Sequence, residues 1–249
     1  MTHSNPKRVE FPKSFGVLLY PQFEVLDVAG PIEALNVLSR CEGYEDMRLS
    51  IVSKTLDPVS VGPIAPDTTS LGFAGTQLYP PTHTFETAPQ LDVLLVPGGA
   101  GSMDPLPGGG RPDIDGHIEF LRNTFHGLNG RAPLKYLISV CNGTILLIRA
   151  GLLDGQTATT NKDIWKSITD MGPKTHWIAK ARWVDSGRIW TTSGVSAGAD
   201  GVLAWMEGLI PKETLTHVVN TMEWIRAETA DNDPFAEVFG CQDVPRVQG

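Results

Sequence analysis

Short apolar runs alternating with stretches of helical spacing constrain this chain more than any other feature. FGVLLY (15–20), RLSIVS (48–53), the start of DVLLVPGGAG (92–101) and LKYLISV (134–140) each have the length and character of a buried strand. DVAGPIEALNVLSR (27–40) reads as a loop entering a helix, with Pro31 near the first turn and Ile32, Leu35 and Leu38 on one face. Further helices are predicted at DIDGHIEFLRNTF (113–125), which Gly116 weakens, from about Asn142, and at KDIWKSITDM (162–171). VSAGADGVLAWMEGLI (195–210) and KETLTHVVNTMEWIRAE (212–228) read as the final two helices. ARWVDSGRIWTTSG (181–194) reads as a hairpin around Asp185-Ser186-Gly187. Residues 54–89, rich in Pro, Gly and Thr, predict short edge strands and turns, and SMDPLPGGGRP (102–112) predicts a loop. Strands alternating with helices mean an α/β fold, a mostly parallel sheet with helices on both faces.

A chain of 249 residues fits one large domain of this kind. Residues 1–13 read as a flexible N-terminal tail, 14–230 as the α/β domain and 231–249 as a C-terminal extension. Lys and Arg are outnumbered 20 to 28 by Asp and Glu, so no basic stripe is available and nucleic acid is not expected as a partner. There is neither a long apolar run nor a basic-plus-apolar amino terminus, so no membrane partner is expected and the cytoplasm is the expected location. Cys41, Cys141 and Cys241 form no CxxC pair and no zinc-ligand spacing, which indicates neither a disulfide framework nor a metal site.

Cys141 falls where a strand ends and a helix begins, the edge of a parallel sheet at which ligands bind. A residue on such a turn stands above the sheet, and a helix start beside it is expected to lower a thiol pKa. The alternative is a small buried hydrophobe. Pro97-Gly98-Gly99-Ala100-Gly101 reaches the same edge, and its glycines would let backbone amides approach an anion. Asp27, ahead of Pro31, is either a helix cap or an acid beside the thiol. Trp165 and Trp183 belong to a pocket lining or to the core, and the six histidines read as surface or structural residues.

YPQFEVLDVAGP, VPGGAG, SVCNGTILLIRAGLLDGQTATTN and TTSGVSAGADGVLAWME together resemble the ThiJ/PfpI superfamily of the class I glutamine-amidotransferase-like fold. The resemblance runs from about Phe15 to Ala230. It is to the subgroup that contains isonitrile hydratases and the amino-terminal domains of some AraC-type regulators. It implies a single-domain flavodoxin-like sandwich with a nucleophile elbow, and a homodimer. By the same resemblance Cys141 is the elbow nucleophile, Asp27 the acid beside it, and Gly99 and Ala100 the turn whose amides face the site. Asn142 would offer its own N–H, while Asn161, Gly194 and Val195 complete a substrate- or oxyanion-binding set. No metal and no cofactor is implied.

Two positions depart from the pattern. Isonitrile hydratases are similar in placing a threonine directly after the cysteine, where this chain has Asn142, and many relatives place a histidine where this chain has Asn161. Asparagine orients a substrate but takes no proton near neutral pH, which argues against hydrolysis through a Cys-His pair. The expected function is a cysteine-dependent enzyme that adds water to an electrophilic carbon of a small molecule, in the manner of an isonitrile hydratase. Two alternatives stand beside it. One is another cofactor-free lyase or isomerase of secondary metabolism that uses Cys141 and Asp27. The other is a non-catalytic oxidant or ligand sensor, whereas the regulator branch needs a DNA-binding domain for which the tail FAEVFGCQDVPRVQG is too short.

Overall fold

The computed structural model describes residues 10–62, 76–103, 110 and 113–247. Its strands are β1 (Ser14–Leu18), β2 (Arg48–Ser53), β3 (Val59–Ser60), β4 (Leu78–Tyr79), β5 (His83–Thr84), β6 (Val93–Val96), β7 (Tyr136–Ser139), β8 (Thr157–Ala158), β9 (His176–Trp177), β10 (Trp183–Ser186) and β11 (Ile189–Thr192). Its helices are α1 (Val25–Leu38), α2 (Asp115–His126), α3 (Thr144–Arg149), α4 (Trp165–Met171), α5 (Ala197–Glu207), α6 (Lys212–Thr221) and α7 (Phe235–Val238). Short 3-10 turns occupy Ala100–Ser102 and Cys141–Gly143.

One seven-stranded sheet runs β10-β11-β7-β6-β1-β2-β5. All neighbouring pairs are parallel except the β10–β11 hairpin, whose turn is set by Gly187 at a positive φ of 76° and by its N–H donating to Asp185. Helices α1, α5 and α6 pack together, and α2 packs with α3, giving the mostly parallel flavodoxin-like sandwich. β6 is buried at all four positions, as a central parallel strand covered on both faces must be. Parallel pairing brings the carboxyl ends of β7, β6 and β1 side by side, so the segments after them share one edge.

Some boundaries differ from the sequence reading, each for a physical reason. α1 begins at Val25, which puts Asp27 in its first turn and Pro31 in its interior, where proline has no N–H to return to the Asp27 carbonyl. The helix survives because it is braced. A Cβ added at Gly198 of α5 would lie 3.2 Å from Pro31 Cγ and 2.8 Å from Val140 Cγ1, so the SAGA stretch serves close helix packing. α6 stops at Thr221, short of the predicted 228, because Asp200 draws the chain away: its carboxylate accepts from Trp224 Nε1 at 2.7 Å and from the Ala227 N–H at 3.2 Å. The same carboxylate pairs with the Arg182 guanidinium.

A further short helix, α7, follows the two taken from the sequence as the last, and the segment carrying it is packed against the domain. Trp177 and Val244 exchange backbone hydrogen bonds of 2.9 and 3.0 Å, and Trp165 Nε1 donates to the Gln242 carbonyl at 3.1 Å. Trp165 and Trp183 are core residues. Of the tail 1–13, residues 1–9 lie outside the described residues, as do 63–75 of the 54–89 stretch and most of the 102–112 loop. Among the described residues no helix is long and apolar enough to cross a membrane.

Candidate active site

The elbow follows β7 directly. Cys141 has φ = 57°, the left-handed region that L-residues enter at a cost of about 1–2 kcal/mol. Three contacts hold it there. The Cys141 N–H donates to the Ser193 carbonyl at 2.9 Å, and the Cys141 carbonyl accepts from Thr160 Oγ1 at 2.9 Å. Thr160 in turn meets Thr144 at 2.7 Å. Gly143 is required because a Cβ there would stand 2.6 Å from the Val96 and Pro97 carbonyl oxygens.

Asp27 arrives from the first turn of α1, which follows β1, the strand on the far side of β6 from β7. It is wholly buried, its Oδ2 accepts from the Gly98 N–H at 2.7 Å, and its Oδ1 has no hydrogen-bond partner among the described residues. The cap alternative fails, since the N-cap position is Glu24, whose own N–H donates to the Gly98 carbonyl at 2.8 Å. Gly98 sits between the acid and the elbow: a Cβ there would lie 2.1 Å from Asn142 Oδ1 and 2.9 Å from Asp27 Oδ2.

Asn142 locks the glycine turn to the elbow. Its Oδ1 accepts from the Gly99 N–H at 2.6 Å, and its Nδ2 donates to the Gly99 carbonyl at 3.1 Å and to Ser102 Oγ at 3.2 Å. The Gly99 amide, expected to face an oxyanion, is therefore engaged by a side chain, and Ala100 opens the 3-10 turn that carries Ser102. The groups that donate to the sulfur are instead the backbone N–H groups of Val195 and Asn142 and the Asn161 side chain, whose Nδ2 lies 3.1 Å from Sγ. Asn161 Oδ1 accepts from the Ile164 N–H at 3.2 Å, which orients the amide with its nitrogen toward sulfur. Gly194 is close by, and a Cβ on it would be 3.3 Å from Asn161 Nδ2.

Burial dominates the electrostatics. It pushes the Cys141 thiol up to about 12, with the nearby Asp27 charge adding to the rise and the three donors opposing it. The sequence reading expects an acidified thiol; enclosure outweighs the turn. Burial likewise raises Asp27 to about 8, opposed by the Gly98 N–H and reinforced by Glu24. At neutral pH the site therefore holds a protonated carboxyl next to a protonated thiol. Tyr20, whose hydroxyl donates to the Pro97 carbonyl at 2.7 Å, is held well above its ordinary value by burial and by both neighbours.

The structure thus brings together Cys141, Asp27, Asn142, Gly99, Asn161, Gly194 and Val195. Sequence reasoning missed the parts played by Gly98, Ser102, Thr160 and Tyr20. Gly98 and Thr160 stood inside quoted motifs, whereas nothing local marks Tyr20. His117, the one buried histidine among the described residues, bonds the Leu19 carbonyl at 3.0 Å, and burial lowers it to about 4. Among the described residues no group of three or more His, Cys, Asp or Glu could hold a metal ion.

A cysteine on a strained strand-to-helix turn at the middle of a parallel sheet, with a buried acid beside it, defines the cysteine-elbow class of flavodoxin-like proteins. The chain belongs to the DJ-1/PfpI family, which it matches over residues 13–209. It is 35% identical over 218 residues to isonitrile hydratase of Pseudomonas putida, covering 87% of this chain and 81% of that protein. It is 29% identical over 198 residues to the HTH-type transcriptional regulator GbdR of Pseudomonas aeruginosa, covering 80% of this chain but 47% of the regulator. Among solved structures, a ThiJ/PfpI family protein from Pseudomonas syringae superposes with a TM-score of 0.65 at 26% identity, over 91% of this chain and 83% of that one. Drosophila melanogaster DJ-1beta superposes at 0.62 with 15% identity, over 86% and 98%, a likeness of fold.

Proposed function

We propose that this protein hydrates an isonitrile, or a similarly electrophilic terminal carbon, to an N-substituted formamide. The observation that carries the reading is the buried Asp27 beside Cys141, whose side-chain donor is Asn161 where many relatives place a histidine. The likeness to isonitrile hydratase supports the substrate class.

The terminal carbon of an isonitrile accepts both a proton and a nucleophile. Asp27 delivers its proton to that carbon while the Cys141 sulfur bonds to it, and the thiol proton passes to the Asp27 carboxylate. The product is an enzyme-bound thioformimidate, and no free thiolate has to exist beforehand, which suits a thiol held at about 12. Asp27 next protonates the imine nitrogen as water adds to the carbon, and it recovers a proton from that water. The carbon–sulfur bond then breaks, the sulfur leaves toward the Asn161, Val195 and Asn142 donors, and the hydroxyl proton returns to it. The sum is isonitrile plus water giving formamide. Asn142 acts by fixing Gly98-Gly99 against Asp27.

A peroxide sensor is less well served, because oxidation needs a thiolate and burial suppresses it. Incubation with an alkyl isocyanide and detection of the formamide proton by NMR tests the proposal. Formation that is lost in Cys141→Ala is expected, and no formamide from any isocyanide offered to the unmodified protein rejects it.

A further inference from the structure

A cavity of about 360 Å³ is lined by Asn161, Val195, Phe235 and Phe239 among others, and reaches Cys141 only through the residues that contact its sulfur. Two of its lining residues, Asn161 and Val195, are among the three that donate to the Cys141 sulfur. Its aromatic surface comes from Phe235 and Phe239, on and just beyond α7 in the C-terminal segment. The two residues are 44% and 47% exposed, unusual for phenylalanines of a protein that fully buries so many large side chains elsewhere.

These rings are held in place by buried charge. Asp233 accepts from the Phe235 N–H at 3.0 Å, at the start of α7, and its carboxylate lies 3.4 Å from Lys162 Nζ with both side chains almost wholly buried. Lys162 follows Asn161 directly, and its ammonium also donates to Thr159 Oγ1 at 2.7 Å, the Thr160 carbonyl at 3.0 Å and the Ala181 carbonyl at 3.1 Å. One ion pair therefore ties the loop that touches the sulfur to the helix that carries the rings. It also consumes the positive charge of the lining Lys162, while the lining Asp163 is acidic, so an anionic substrate finds no unpaired cation among the described lining residues.

We propose that Phe235 and Phe239 form the specificity wall of the site, holding an uncharged substrate by a bulky apolar or aromatic substituent while its reactive carbon lies at Cys141. The inference rests on the hydratase reading for the reactive group, and on the cavity alone for the substituent.

The test compares benzyl isocyanide with methyl isocyanide, and N-benzylformamide with N-methylformamide, on the full chain. The unmodified protein should prefer the benzyl compounds, in kcat/KM and in calorimetric affinity. The Phe235→Ala/Phe239→Ala double variant should lose that preference at least tenfold, and Phe239→Glu, which puts a charge on the wall, should lose it as well. Val238→Ala, on the same short helix but not lining the cavity, should keep it. Circular dichroism checks the fold of each variant. If no isocyanide is turned over, the hydratase reading fails while the formamide affinities still decide the wall. Equal benzyl preference in the unmodified and double-variant proteins, or no benzyl preference in the unmodified protein, overturns the inference.

Discussion

At the glycines packed around Cys141 an added carbon has nowhere to go, whereas Phe235 and Phe239 are each nearly half exposed. The elbow is built from close backbone approaches: Gly98 against Asn142 and Asp27, Gly143 against Pro97, and a cysteine forced to positive φ. The wall is built from two side chains on a four-residue helix held at one end by an ion pair. The contrast separates two tasks. Bond-making chemistry needs groups fixed to a fraction of an ångström, and packed backbone supplies that. Choice among substituents needs apolar area at an open surface, which tolerates change at little structural cost.

The comparison breaks most completely at the sulfur. Cys141→Ala should lower turnover by about a thousandfold or more with the fold intact, because the proposed nucleophile is lost while the smaller side chain fits the same space. Steady-state kinetics and a melting curve check it together.

Asp27→Asn should lower turnover by roughly a hundredfold, the usual worth of a positioned proton donor. It should also change pH behaviour. With its pKa at about 8 instead of the ordinary 3.8, folded Asp27 keeps a proton that the unfolded chain releases, so stability falls as pH rises from about 4 to about 8 and then levels. The unmodified protein should lose stability across that window relative to Asp27→Asn, and its kcat/KM should decline above about pH 8. Urea unfolding of both proteins at pH 5 and pH 8 checks the first. An identical difference in stability at the two pH values would show that Asp27 is ionised throughout.

Asp233→Asn should destabilise the protein by about 3–5 kcal/mol, the usual result of removing one partner from a buried pair. With α7 released, KM for bulky substrates should rise more than kcat falls, separating wall from elbow. The smallest effects belong to the other thiols, both partly buried, Cys41 donating to the Val37 carbonyl and Cys241 to the Lys162 carbonyl. Cys41→Ser and Cys241→Ser should leave turnover unchanged and shift stability by about 0.5 kcal/mol or less.

Much of this arrangement is legible in the residues. RLSIVS becomes β2 over the same bounds, and LKYLISV followed by CNG predicts the elbow, because an apolar run of strand length meeting a helix start admits few other geometries. Asp27 illustrates the limit. Its place before Pro31 suggests a cap as readily as an acid, and what decides is the Gly98 amide from a distant strand end. The early end of α6 is similar: the spacing of residues 212–228 continues to favour helix, but Asp200 recruits Trp224 and Ala227 through contacts that no local pattern encodes.

The sequence by itself determined the order of strand, turn and helix, and hence that the segments after the first strand, after VLLV and after LKYLISV share one edge, since a parallel sheet aligns the carboxyl ends of its strands. Only the tertiary structure decided the protonation of the site. Enclosure acts on thiol and carboxyl through every neighbour at once and reverses the pKa that a helix start alone would give. It alone also decided that a C-terminal helix borders the site, because the pairing of Lys162 with Asp233 joins residues whose only relation is the space they share.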